Sequence, residues 1–315
     1  MATMTTSDVK LSALPPTSGR AGLRGVIASE FTKIRSVRST YWTIAALLIV
    51  GVGIAALVGF GIANDIHNQP WNKAGTDGTQ SILTPFLFIG QLIIAVIGAM
   101  VITSEYSTGM IRTSLTAMPR RGTVYAGKLI VLTSVTLVVS LVTSFIAFFV
   151  GSATLSGSGV AGSLFHNVTI PANVNMSPPT GGPNSPGPPN YTFVGTDVIT
   201  SGHVLTAIIG SALFVTVVAL IAFGLGAIIR HTAGAISSVF GLMFVLSIIL
   251  QVLPNTWRDD ISRFFPDAAG RVLSVTLPGQ QNAHLWSAWP QFLVTVAWAV
   301  VLVGAGGYLF RKRDA

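Results

Sequence analysis

Six stretches of the sequence, roughly 41–63, 82–103, 129–150, 204–229, 233–253 and 291–310, run on without a single Asp, Glu, Lys, Arg or His. An apolar helix of about 20 residues is what it takes to cross the hydrocarbon core of a bilayer. A soluble fold would need a charged surface, and only 9% of the 315 residues are charged, against roughly 25% in an average soluble domain. We read no strand alternation in the chain, which leaves a barrel without support. The expectation is an all-α integral membrane protein with six transmembrane helices.

Orientation follows from the basic residues, because Lys and Arg beside membrane segments resist translocation. Fourteen of the 18 lie before helix 1, between helices 2 and 3, after helix 4 or at the C-terminus, and four (Lys73, Arg258, Arg263, Arg271) lie on the other side. This places both termini in the cytoplasm and accounts for the net charge of +8 without a nucleic-acid partner. No apolar run precedes Tyr41, so helix 1 reads as a retained anchor rather than a cleaved signal. The chain has no cysteine, which excludes disulfides and thiolate metal sites.

The segments between helices divide into tail, loops and short helices. Residues 1–40 form a cytoplasmic tail, and 41–315 the six-helix domain. Within the tail, Leu23, Val26, Ile27, Phe31, Ile34 and Val37 recur at helical spacing. That pattern predicts an amphipathic helix over 22–38, its basic side chains turned toward lipid headgroups. The outer loop 152–202 has no Lys or Arg and seven prolines from Pro171 to Pro189. Such a segment buries too little apolar surface to offset the entropy of ordering, and a flexible loop is expected.

Residues 254–289 carry structure signals. A capping pattern at Thr256–Asp259 opens a short helix with Trp257, Ile261, Phe264 and Phe265 on one face, and Pro266 ends it. A second short helix would start at Asp267. Small residues recur at i, i+4 in helix 1 (Gly51, Ala55, Gly59, Ala63) and helix 5 (Ala233, Ser237, Gly241). Both stripes are expected to pack within one subunit.

No enzyme motif is present: neither G-x-S-x-G nor H-E-x-x-H occurs, and the five histidines are scattered outside the apolar runs. Gly122 to Leu129 imitates a phosphate-binding loop but ends in Leu where a hydroxyl must hold magnesium. The apolar runs also lack the ionisable residues that commonly mark ion-coupled pathways. If the chain moves a solute uphill, the energy comes from another subunit. The longest cytoplasmic loop, Ser104 to Gly127, then becomes the contact of interest. Glu105, Arg112, Arg120 and Arg121 are the charges there that a soluble partner would read.

Three stretches carry a family resemblance: SEFTKIRSVRSTYWT (29–43), ITSEYSTGMIRTSLTAMPRRGTVYAGK (102–128), and the final outer segment running into a helix that ends LFRKRDA (309–315). They resemble the type-2 permeases of ATP-binding-cassette (ABC) transporters, of actinobacterial type. The resemblance implies a permease subunit of the bacterial plasma membrane that dimerises with a second permease, homo- or heteromeric. It implies a separate ATPase subunit that binds ATP and magnesium, leaving no cofactor in this chain. It also implies that loop 104–121 docks on that ATPase, and that re-entrant or interfacial outer helices precede helix 6. The expected function is export, by a transport subunit that is not itself an enzyme. The alternatives are a non-transporting sensor or immunity module partnering an ATPase, or a membrane enzyme.

Overall fold

The computed structural model describes residues 22–111, 121–177, 190–277 and 285–312. A short helix α1 (Leu23–Ser36) leads into α2 (Arg38–Asn68) across one extended residue, Val37. Then follow α3 (Gly78–Ser107), α4 (Arg121–Thr154), the strands β1 (Val168–Ser177) and β2 (Asn190–Ile199), and α5 (Ser201–Ile229). Helix α6 (Thr232–Val252) contains one π turn at Gly241–Val245. Two short helices, α7 (Asn255–Ser262) and α8 (Ala268–Leu273), precede α9 (Ala288–Lys312).

Helices α2 to α6 and α9 are the six long enough and apolar enough to cross a membrane. Each apolar run of the sequence lies in one of them, and most of these helices extend several residues past its run. The 31 residues of α2 span about 45 Å, which is the hydrocarbon core plus both headgroup layers. The charges absent from the runs therefore lie on the same helices, one or two turns further along.

Helices α3 and α5 form the centre. The most apolar window is 61% buried in α3 and 72% in α5, against 17–33% in the other four. Glycine permits this closeness. A Cβ on Gly98 would collide with the Ala219 carbonyl, and one on Gly224 would meet the backbone at Leu302 and Val303. The helix-1 stripe packs within the chain as expected, with Gly51 against Phe86 and Gly59 against Gly151 and Thr154. The helix-5 stripe does not. Ala233 and Ser237 are exposed, and nothing lies within 4 Å of a Cβ at Gly241. That expectation is corrected: this face of α6 has no neighbour among the described residues.

The segment 152–202 also differs from expectation. β1 and β2 form an antiparallel ribbon, pairing Val168 with Ile199 and Met176 with Tyr191. Alternation is present after all, in Val168, Ile170, Ala172, Val174 and Met176. Both strands are edges, so Pro171 is tolerated. A lone two-stranded ribbon is marginal in water, and here its base is anchored. Ile170 and Ile199 are buried, the Gly75 N–H donates to the Pro171 carbonyl (2.9 Å), and Trp71 packs edge-on against Tyr191.

The two short helices follow the expected order, though α7 starts at Asn255 with no side-chain cap, so the Thr256–Asp259 capping pattern goes unused. α8 is buried over most of its length. Leu273 covers Gly210, and Gly270 covers Phe214. Gly210 lies nine residues into α5, about 14 Å along it, so α8 dips between the helices instead of lying on the rim. Side chains of α9 hold this excursion: Gln291 donates to the Arg263 carbonyl (2.7 Å), Thr295 to Pro266 (2.7 Å) and Trp298 to Phe264 (2.9 Å). On the α3 side, Asp77 accepts from Gln80 N–H, Thr276 N–H and Oγ1, and Leu277 N–H.

Candidate functional site

With six crossings, α1 and the end of α9 share one end of the bundle, together with the α3–α4 connection. Within that terminal end, α1 lies along the first half of α4. Gly127 allows the approach, because a Cβ there would stand 2.5 Å from Val26 Cγ1. On α1, Val26, Glu30 and Lys33 follow at i, i+4, i+7, so all three face the bundle. The amphipathic helix expected over 22–38 is present as α1, and its inward face carries charge as well as apolar side chains. Phe31 is 53% exposed while Glu30 is 5% exposed, so the carboxylate points inward and part of the apolar face points outward.

The inward face carries a four-membered ion cluster. Lys128 Nζ donates to Glu30 Oε2 (2.9 Å) and to Glu105 Oε1 (2.5 Å). Lys33 Nζ donates to Glu30 Oε1 and Glu105 Oε1, both at 2.9 Å. Side-chain exposure is 1% for Lys128 and 7% for each glutamate, against 37% for Lys33. The formal charges cancel. Burial alone would pull the Lys33 ammonium down, but its hydrogen bonds to Glu30 and Glu105 outweigh that and leave its pKa raised.

The cluster staples three elements, the middle of α1, the last turn of α3 and the second turn of α4. Buried ion pairs add little net stability because desolvation offsets attraction, yet removing one partner is costly. Its mechanical consequence is that α1 cannot leave the bundle without stranding a charge. Other contacts at this end add to the joint: Thr232 Oγ1 donates to Thr103 Oγ1 (2.9 Å), Tyr125 O–H to the Val303 carbonyl (2.8 Å), and Arg230 lies over the Tyr106 ring (4.8 Å).

Of the residues expected to meet a partner, Glu105 is held inside this cluster and is 6% exposed. Arg121 opens α4 and is half-buried. Arg112 and Arg120 lie outside the described residues. Residues 121–129, which include the whole imitation phosphate loop from Gly122 to Leu129, are continuous helix. Sequence reasoning missed Glu30, Lys33 and Lys128 as a unit. A signal existed: Glu30 and Glu105 are the chain's only two glutamates, in the echoed tetrapeptides Ser29-Glu-Phe-Thr32 and Ser104-Glu-Tyr-Ser107. Both glutamates meet the same lysine.

Comparison with known proteins places this site within a matched region. No curated protein matches the chain. Residues 26–174 match the family described as ABC-2 family transporter protein, a stretch that contains all four cluster residues. With six helices long and apolar enough to cross a membrane, the chain is a multi-pass membrane protein, and over residues 26–174 it is similar to the permeases of the ABC-2 transporter family.

Proposed function

We propose that this chain is the membrane half of an ATP-driven exporter, with no nucleotide site of its own, worked by a separate ATPase subunit at its terminal end. The observation that carries the reading is the buried cluster of Glu30, Lys33, Glu105 and Lys128. It makes α1 and the ends of α3 and α4 one joint, at the end where the 104–121 connection would meet a soluble partner. Arg112, Arg120 and Arg121 read the ATPase, and Glu105 transmits from inside, as a positioning residue. The Lys/Arg bias supports a cytoplasmic setting for this end in a bacterial plasma membrane. The helical state of residues 121–129 and the engagement of Lys128 by two carboxylates speak against a phosphate loop. ATP and magnesium then belong to the partner. The uncovered face of α6 supports pairing with a second permease subunit, because small residues allow close helix contact in lipid. Export rather than import rests on the family resemblance alone.

The absence of cysteine makes the test clean. Ser107 and Ser156 are both exposed, at opposite ends of the bundle. On intact cells an impermeant thiol reagent should label Ser156→Cys and spare Ser107→Cys. The full chain should co-purify with a co-expressed ATPase that hydrolyses ATP, and alone should give no nucleotide-dependent thermal shift. Reversed labelling, or micromolar ATP binding by the chain alone, contradicts the reading.

A further inference from the structure

Beside the ion cluster lies a cleft of about 350 Å³, between α1, the first turns of α2 and the last turns of α3. Its size lies at the low end of the range for small-molecule sites, which are mostly apolar with a few placed polar groups. Ile34, Val37, Ile97, Met100 and Val101 supply apolar wall. Six hydroxyls line the cleft among the described residues. Four of them donate their single proton to their own helix: Ser36 to the Lys33 carbonyl (3.0 Å), Thr43 to Ser39 (2.8 Å), Ser104 to Met100 (2.6 Å) and Thr108 to Ser104 (2.8 Å). Those four offer an occupant only lone pairs. Lys33, the one cation among the described residues of the wall, donates to Glu30 and Glu105.

Glu105 completes the pattern. It lines the cleft and is 6% exposed. Its Oε1 takes both lysines, while its Oε2 is buried with no hydrogen-bond partner. A buried carboxylate oxygen left unmatched is expensive, and what it lacks is a donor. We propose that this cleft binds an amphiphile whose apolar body carries a primary ammonium, the ammonium donating to Glu105 Oε2 and to the hydroxyl oxygens around it. A charge-assisted bond of this kind is roughly twice as strong as a neutral one, so an amine outranks an alcohol. A sulfate or phosphate head carries negative charge up to the unmatched carboxylate oxygen of Glu105 and brings it no ammonium, so it is disfavoured. Because Glu30, Lys33 and Glu105 belong to cleft and cluster alike, an occupant would report directly on the seating of α1.

The test uses the purified full chain in a non-ionic detergent, without any ATPase, so it stands or falls apart from the export reading. Dodecylamine, dodecanol and dodecyl sulfate share one tail, and bound copies are counted by native mass spectrometry. The expected result is one saturable dodecylamine, weaker dodecanol and no dodecyl sulfate. Glu105→Gln should weaken the amine about tenfold or more, the scale of one hydrogen bond to a charged group. Val101→Phe fills the cleft one turn before Glu105 without touching a charge and should abolish the site, which keeps the test alive if Glu105→Gln does not fold. Equal binding of all three heads means an apolar crevice for lipid tails and overturns the proposal. Unchanged amine binding in Val101→Phe also overturns it, by putting the amine elsewhere.

Discussion

Lys128 is tolerable in the second turn of α4 because two carboxylates reach it there. With 1% of its side chain exposed, no water shell is available to replace them. Lys128→Ala strands Glu30 opposite only Lys33, and the loss should be about 3–5 kcal/mol, the usual cost of breaking a buried pair. Removing a charge of each sign, as Lys128→Met with Glu30→Gln, should recover most of it, since Glu105 keeps Lys33. Thermal midpoints of the two variants decide the matter, and equal losses would show that packing, not stranded charge, sets the cost. Asp77 is satisfied differently, by four donors and no cation. Its place before α3 is readable as a helix cap. Its bonds to Thr276 and Leu277 are not, because no local pattern announces a partner about 200 residues away.

At the scale of elements, periodicity made the six crossings legible, since a run that excludes every charge has few other readings. Charge placement on α1 was not legible in the same way. A helix with apolar and basic positions looks two-faced until a neighbour appears, and the neighbour, Lys128, comes 98 residues after Glu30. The ribbon was missed because its prolines outweighed an alternation of only five residues. The short outer helices were readable from Pro266 and the aromatic spacing, but their depth was not, since it depends on Gly210 and on α9 side chains. That depth has a pH consequence. Burial pushes the Asp267 carboxyl above its ordinary value of 3.8, against the pull of Arg271. A carboxyl with a raised pKa holds its proton more tightly folded than unfolded, so stability falls as pH rises from the ordinary value through the raised one. Asp267→Asn should flatten that fall in thermal midpoints measured across the acid range. An unchanged slope would assign it to other groups.

For the whole molecule, two surfaces remain to be matched with partners: the small-residue face of α6 and the terminal end around the cluster. If the α6 face meets a second subunit of the same kind, Ser237→Cys should form a disulfide-linked dimer on oxidation in membranes. Ser134→Cys, exposed on α4, should not. A monomeric Ser237→Cys chain beside a cross-linked Ser134→Cys chain would move the interface to α4. The terminal end is tested most directly by reversing charges in the cluster and measuring ATP hydrolysis by the chain purified with the ATPase proposed to partner it. Lys128→Glu leaves three carboxylates around Lys33, and Glu105→Lys leaves three ammoniums around Glu30. Each single reversal should lose the associated, coupled ATPase. The two together restore two charges of each sign and should bring hydrolysis back toward the wild-type rate. Wild-type hydrolysis in both single variants, or a folded double variant that stays uncoupled, would contradict a joint built on these four residues.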